Sequence, residues 1–143
     1  MSAWVGMDEV MARLSAMTAQ ASAAAKVAAV GAASIVEAKA KANFEGSHSK
    51  GKPHVGGDKP NVVTGTARRS IVTDPVESVA LGEFLTRVGP TVVYGRRLEL
   101  GWPGSSGRSH QHTRAFPYFD PAVADTQPEV AEFAAQTWAK FMR

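Results

Sequence analysis

The sequence predicts an α+β fold with a long N-terminal helix, a small antiparallel sheet, a short helix and a C-terminal helix. The N-terminal third has fourteen Ala between Met11 and Asn43 and no Pro before Pro53, which predicts the long helix. Short apolar runs interrupted by Gly and Pro between residues 62 and 101 predict strands, and a helical apolar pattern follows near the C-terminus. The chain has the length of one domain, so we assign residues 1–143 to a single domain.

The first helix is predicted over residues 2–43. At about 1.5 Å per residue it would be ~60 Å long, which is more than a compact domain of this size needs. One face repeats every seven residues, with small side chains in its middle: Met7, Val10, Leu14, Met17, Ala21, Ala24, Ala28, Gly31, Ile35, Ala38 and Ala42. Two interpretations stay open, which are packing on the chain's own sheet and packing against a neighbouring subunit. For the second interpretation, the predicted contacts are Met7, Leu14, Met17 and Ile35, with Trp102 from a later loop.

Two segments, residues 46–61 and 102–113, are predicted to be flexible loops. The first reads GSHSKGKPHVGGDKPN and the second is rich in Gly and Ser, so neither offers the apolar side chains of a core. Both are also longer than most connections in a compact domain. We therefore expect them to be interaction arms that become ordered on a partner; the alternative is that they are simply slack surface loops.

Turn and strand signals divide the middle of the chain into short elements. The predicted elements are a helix capped by Thr64 and running through Ile71, a strand over Ile71–Val79 broken at Asp74-Pro75, a turn at residues 80–82, a strand over Glu83–Val88 ended by Gly89-Pro90, and a helix over Val92–Leu100 that stops at Gly101. Tyr94 and Leu98 share one face of the last of these helices, and we expect Phe116 to pack onto that face.

The last part of the chain is predicted to be helical from Asp120-Pro121 onwards, because Pro favours the first helical position. The run from Thr126 to Glu129 has the pattern of a capping box, so a new helix start is predicted at Thr126. The apolar face of this last helix comprises Val130, Phe133, Ala134, Thr137, Trp138 and Phe141.

Three candidate chemical motifs each lack a residue that the chemistry requires. Residues 46–52 have the spacing of a phosphate-binding loop, but Pro53 stands where the magnesium-binding Ser or Thr is required. His110 and His112 form an H-x-H pair without a nearby carboxylate that would complete a metal site. Glu99 has no evident acid or base partner, and the sequence has no G-x-S-x-G elbow and no Cys. We therefore expect no enzymatic activity, no cofactor and no metal.

No membrane-spanning or export segment is predicted. Four charged residues interrupt the Ala-rich stretch, namely Lys26, Glu37, Lys39 and Lys41. Asp8 and Glu9 stand where an export signal carries Lys or Arg. The absence of Cys fits assembly in a reducing cytosol.

The middle of the chain is basic, with ten Lys and Arg and five Asp and Glu between Lys50 and Arg114. Such a segment is able to face phosphates. The residues predicted to face DNA are Lys50, Lys52, Arg68, Arg69, Arg108 and Arg114. The other interpretation, which we favour from the residues alone, is a solvated surface with ion pairs such as Arg96 with Glu99.

Four short segments, taken in order, resemble one phage protein family. They are TGTARRSI at residues 64–71, VGP at residues 88–90, YGRRLELG at residues 94–101 and RAFPYFDPA at residues 114–122. The corresponding family pattern is T-G-x-L-x-x-S-I, a V-G strand end, Y-A-x-x-L-E-x-G and, after a variable loop, R-P-F-L-x-P-A. The family comprises the neck and tail-completion proteins of long-tailed phages with non-contractile tails. The chain departs from this pattern at Ala67, at Gly95 and over residues 115–119.

This resemblance implies a virion structural protein that forms a ring between the head connector and the tail tube. Six-fold symmetry is expected from the tail, and twelve-fold symmetry is the alternative from the portal side. The implied partners are further copies of the chain, head-completion or connector proteins, and the tail tube or tail terminator protein, with transient and non-specific contact to genomic DNA. The implied location is the virion neck or tail, after assembly in the bacterial host cytoplasm. The alternative function is that of a small basic nucleic-acid-binding accessory protein.

Overall fold

The computed structural model describes residues 6–45, 59–101 and 115–142. The elements are, in chain order, α1 (Met7–Ala42), α2 (Thr66–Arg69), β1 (Ile71–Thr73), β2 (Glu77–Ala80), β3 (Glu83–Leu85), β4 (Val88–Pro90), α3 (Gly95–Leu100) and α4 (Asp120–Phe141). This arrangement confirms the predicted α+β class with its long first helix, small antiparallel strand pairs, short helix and C-terminal helix.

The helices α1 and α4 pack against each other in antiparallel directions. Lys39 Nζ lies 3.2 Å from the carboxylate of Asp125, and about two turns earlier along α1 the ring of Phe133 lies against Gly31. A Cβ atom at Gly31 would come 2.0 Å from that ring, so glycine is what permits the close approach. The small middle of α1 therefore accommodates α4, together with the strands, of the same chain.

The core lies where the end of α1 meets the start of α4. It consists of Ala40, Phe44, Ile71, Tyr118 and Ala122, all nearly or fully buried. The rings of Phe44 and Tyr118 are 4.8 Å apart between centroids. Asn43 is also buried, and its Nδ2 donates to the Tyr118 carbonyl at 2.8 Å, so the polar group placed in the core has a partner. Few large side chains take part, as the Ala-rich composition implies.

The four strands form two antiparallel pairs that follow one another along a single long hairpin, with a break between the pairs. β1 pairs with β4 and β2 pairs with β3, both antiparallel. Between the two ladders the Asp74 N–H donates to the Arg87 carbonyl at 2.7 Å, which keeps the two sides of the hairpin together. The break at Asp74-Pro75 confirms the prediction, and so does the turn at residues 80–82, where Gly82 has a φ of 74°.

The second predicted strand is divided, which is a correction to the sequence interpretation. Residues 83–85 and 88–90 form separate strands, and Gly89 and Pro90 pair with β1 rather than ending the sheet. The Thr91 N–H donates to the Ser70 carbonyl at 2.9 Å, so the preceding backbone nitrogen faces away from β1. Proline is tolerated there because that position needs no N–H for the ladder.

Two short helices begin later than predicted. Gly65, with a φ of 72°, precedes α2, and the Thr64 hydroxyl lies 3.4 Å from the Thr66 nitrogen without capping the helix. α3 begins at Gly95 instead of Val92.

The predicted interruption of the last helix is wrong. α4 is continuous through Pro128, and the Thr126 hydroxyl donates to the Ala122 carbonyl at 2.7 Å inside a helix that has already begun. Thr126 is buried, so its hydroxyl is satisfied by the preceding turn instead of capping a new one.

Several predicted features lie outside the described residues. They include most of the loop at residues 46–61, the loop at residues 102–113, the side chains of Lys50, Lys52, Trp102, Arg108 and Arg114, and the four His residues, His48, His54, His110 and His112.

Candidate subunit interface

The first part of α1 projects beyond the rest of the described chain. Every residue from 6 to 20 is exposed, whereas the buried positions of α1 begin at Ala24. A helical segment of fourteen residues is about 21 Å long. We call residues 7–20 the N-terminal arm.

One face of the N-terminal arm is apolar. Its large side chains are 42–58% exposed, and they are Met7, Val10, Met11, Leu14 and Met17. Their spacing of three and four residues places them on one stripe of the helix. The first turn carries Asp8 and Glu9, and Glu9 pairs with Arg13 at 2.6 Å. A contiguous apolar stripe that the described chain leaves uncovered is typical of a protein–protein contact.

The predicted contact residues therefore separate into two groups. Met7, Leu14 and Met17 lie together on the exposed stripe of the N-terminal arm. Ile35 is half-buried in the part of α1 that carries the buried alanines, so it does not belong to that stripe. Contact of the first three with another subunit stays a prediction.

Glu99 connects α3 to the start of α4. One carboxylate oxygen accepts the N–H groups of Tyr118 and Phe119 at 2.8 and 2.9 Å, and the other accepts the N–H group of Asp120 at 2.9 Å. Backbone amides at a helix start have no partner within the helix, and an anion there is stabilised by the helix dipole. Glu99 thus binds backbone rather than Arg96, which corrects the predicted ion pair. Its role in the fold is structural positioning of α4.

Tyr118 packs under the start of α3. Its hydroxyl donates to the Gly95 carbonyl at 3.3 Å, and a Cβ atom at Gly95 would come 2.6 Å from the ring of Pro90. Burial, with a smaller contribution from the negative charge of Glu99, raises the pKa of Tyr118 to about 12. The phenol therefore stays neutral and keeps its hydrogen bond at all physiological pH values.

These contacts form the base of an apolar groove between β4, α3 and the start of α4. We call it the α3 groove; its lining residues include Val92, Val93, Gly95, Leu100, Tyr118 and Phe119. Val93 is 91% exposed and Leu100 is 61% exposed, so large apolar side chains stand at its edges. Two charged residues also line the groove: Arg96 is exposed, whereas Glu99 is half-buried and its carboxylate accepts the three backbone N–H groups described above.

Tyr94 and Leu98, which were predicted to share one face of α3, are both incompletely buried. Leu98 is half-buried and packs against the core, as predicted. The backbone N–H of half-buried Phe116 donates to the Leu98 carbonyl at 2.8 Å, and packing of the Phe116 ring onto the helix stays a prediction. Tyr94 is 47% exposed, so it lies at the surface rather than in the body.

Of the six residues predicted to face DNA, the structure describes Arg68 and Arg69. Both lie on α2 and are exposed. Arg69 donates from Nη2 to the Thr64 carbonyl at 3.1 Å, which orients its guanidinium along the loop before α2. Two adjacent cations at the surface are able to meet phosphates, and their contact with DNA stays a prediction.

A polar cluster ties α1 to the first strand. Glu37 accepts hydrogen bonds from Lys41 Nζ and from the Thr73 hydroxyl, both at 2.5 Å. These two bonds, with Lys41 first, lower the pKa of Glu37 below its ordinary value of 4.5, against the opposing effect of burial. The stability that ionised Glu37 contributes is therefore present at neutral pH and is lost as the pH falls through that lowered pKa.

The described residues contain no group of three or more His, Asp or Glu side chains arranged to hold a metal ion. By length and composition alone, α1 is apolar enough to cross a membrane, although its charged residues led to the opposite prediction. Alanine supplies much of this apolar character, and in the structure the buried alanines of α1 contact the rest of the chain. Core helices of soluble proteins, which are mostly buried, and signal sequences near the N-terminus meet the same criterion, and the apolar window of α1 is 11% buried.

Two residues important to this region were missed by sequence reasoning. Asn43 reads as the end of a helix, and its bond to the carbonyl of Tyr118 spans 75 residues. Glu99 reads as a surface carboxylate, and its partners lie about 20 residues further along the chain. Spacing rules describe neighbours on one element and give no signal for such pairs.

Comparison with known proteins gives no match: no family model fits the chain, and no curated protein or solved structure is significantly similar to it.

Proposed function

We propose that the chain is a structural subunit of the head–tail junction of a long-tailed phage, in which several copies form a ring. The observation that carries the proposal is the N-terminal arm, which offers an apolar stripe that its own described chain does not cover. A subunit that is complete only in an assembly has such a surface.

The positions of the resembling segments support the same proposal. Residues 64–71 supply α2 and the start of β1, residues 88–90 are β4, residues 94–101 contain α3, and the last segment ends in Asp120 to Ala122, which begin α4. These segments contact one another through the β1–β4 ladder, the three bonds to Glu99 and the core around Tyr118. Four short matches that are scattered in sequence thus form one structural unit, as expected if they were retained together.

The proposal is tested by the mass and shape of the purified protein. Light scattering coupled to size exclusion should give six times, or in the alternative symmetry twelve times, the 15.1 kDa of one chain. Electron microscopy of the same fraction should show rings with a central opening. A monomer at concentrations up to the millimolar range would contradict the ring.

The same samples separate the proposal from a nucleic-acid-binding accessory protein. A ring subunit should bind DNA weakly and without sequence preference, because DNA has to slide through the opening. A monomer whose DNA affinity falls steeply with salt would favour the accessory protein instead.

A further inference from the structure

The helix α1 separates two apolar surfaces that the described residues leave uncovered. The N-terminal arm lies at one end, and the other end reaches the core, where Ala40 packs with Tyr118, a lining residue of the α3 groove. From Leu14 to Ala40 the helix extends about 39 Å at ~1.5 Å per residue. Because α1 is one unbroken helix, the arm does not reach the groove of its own molecule.

We infer that the N-terminal arm of one copy docks into the α3 groove of the next copy. This inference rests on the proposed function, since it names the contact that builds the ring. The stripe of the arm carries flexible Met and Leu side chains, which adapt well to an irregular apolar groove. The groove offers Val93 and Leu100, both largely exposed, as their counterparts.

Charge favours the N-terminal arm of another copy over residues 102–114 as the occupant of the α3 groove. The first turn of the arm carries Asp8 and Glu9, of which Glu9 already pairs with Arg13. The groove is lined by Arg96 and also by Glu99, whose carboxylate accepts three backbone N–H groups. Arg96 is therefore the exposed cation of the groove that Asp8 of another copy would meet. Residues 102–114 of the sequence contain Arg108, Arg114 and no acidic residue, so they offer no charge complementary to Arg96. A membrane surface is disfavoured for the arm, because surface-bound helices carry Lys and Arg on the polar face.

The geometry of this contact has a consequence for assembly. The arm and the groove are different surfaces, so the contact is head-to-tail and each copy has a free arm and a free groove until a ring closes. The five apolar side chains of the arm are far fewer than the roughly 20–30 residues per side of a standard interface. A single contact is therefore weak, and closure of the ring supplies the remaining stability because each copy is then held twice.

Two substitutions test the two sides of the contact separately. Leu14→Glu places a charge in the stripe of the arm, and Val93→Glu places one at the edge of the groove. Both residues are exposed in the described chain, so we expect the melting temperature of the monomer and its circular dichroism to be unchanged. Each variant should raise the concentration at which half of the rings dissociate by at least tenfold. Ala16→Glu, on the opposite face of the same arm, is the matched control and should assemble as the parent does.

Mixing the two variants gives the sharper result. The Leu14→Glu chain keeps its groove and the Val93→Glu chain keeps its arm, so together they form one contact and no ring. Because that single contact is weak, light scattering is measured over a rising concentration series. The average mass of the mixture should climb towards that of a 1:1 pair at concentrations where either variant alone keeps the mass of one chain. A mixture whose mass never exceeds that of either variant alone, or variants that form rings at the same concentration as the parent, would overturn the inference.

Cysteine crosslinking provides a test that does not depend on disrupting the contact. The chain has no Cys, so a bis-maleimide reacts only at introduced positions. Chains with Leu14→Cys and chains with Val93→Cys should crosslink to each other when they are mixed in rings. A Leu14→Cys chain that crosslinks to itself at equal yield would show pairing of two arms and overturn the inference.

The outcomes separate this inference from the proposed function. If the parent forms rings and both Glu variants do so at the same concentration, the ring stands and the arm–groove contact is wrong. If the parent is a monomer and binds lipid vesicles in a way that Leu14→Glu abolishes, the proposed function and the contact both fail.

Discussion

Glu99 shows how one side chain fixes the relation between two helices. Its two oxygens accept three consecutive backbone N–H groups at the entry to α4, and Tyr118, whose N–H is among them, also holds Gly95 at the start of α3. The base of the α3 groove is built from the same residues. The shape of the groove therefore depends on a carboxylate that acts through backbone contacts.

Replacing Glu99 should lower stability markedly. Glu99→Ala leaves three N–H groups without their charged acceptor. A hydrogen bond to a charged group contributes about 1.5–3 kcal/mol to stability, and three bonds to one carboxylate contribute less than three times that amount. We expect a loss of about 2–4 kcal/mol in the free energy of unfolding, measured by urea denaturation. Glu99→Gln should lie between parent and Ala, because one of the two acceptor oxygens remains.

Glu129 offers a control for this experiment. It is an exposed carboxylate on α4, so Glu129→Gln should change the free energy of unfolding by less than about 0.5 kcal/mol. Equal unfolding midpoints for Glu99→Ala and Glu129→Gln would show that the three bonds to Glu99 do not contribute to stability.

At the scale of elements, sequence patterns predicted the helices better than their ends. The Ala-rich run predicted α1, and the apolar spacing from Val130 to Phe141 predicted most of the inner face of α4, because both patterns are periodic over several turns. Trp138 was wrongly placed on that face, since it is 40% exposed. The restart at Thr126 was wrong because a capping motif is local, whereas continuation of α4 is favoured by its packing on α1. The sequence pattern did not separate the N-terminal arm from the rest of the seven-residue repeat of α1. The end of the arm is set by where α4 stops covering α1, and nothing in the sequence marks that position.

The contact between Gly31 and Phe133 leads to a prediction about this pair of helices. By helix propensity alone, Gly31→Ala would stabilise α1 by about 1 kcal/mol. The new methyl group would overlap the ring of Phe133, and overpacking of this kind costs about 1–3 kcal/mol. We expect a net loss of stability in thermal or urea unfolding.

A double-mutant cycle isolates that effect. In a Phe133→Leu background the ring is absent, so Gly31→Ala should be neutral or stabilising there. If Gly31→Ala stabilises the parent as much as it stabilises the Phe133→Leu variant, the ring does not limit the approach of the two helices.

At the scale of the whole molecule, the basic surface has a testable role in the proposed ring. If Arg68 and Arg69 face the opening, replacing both by Ser should leave the ring intact and make the salt dependence of DNA binding less steep. Arg87→Ser is the control, because its guanidinium pairs with Glu77 at 3.5 Å on the hairpin. An unchanged salt slope in the double Ser variant would place these arginines away from the DNA path.

The antiparallel pairing of α1 with α4 also sets the order of events during synthesis. The two helices that share the main interface are separated by 77 residues of chain. At translation rates of about 5–20 residues per second, roughly 4–15 s pass between completion of α1 and the first residue of α4. During that interval the alanine surface of α1 and the gap at Gly31 have no α4 to cover them. The nascent chain is therefore most prone to aggregation and to chaperone binding before α4 leaves the ribosome, and it buries its principal helix late.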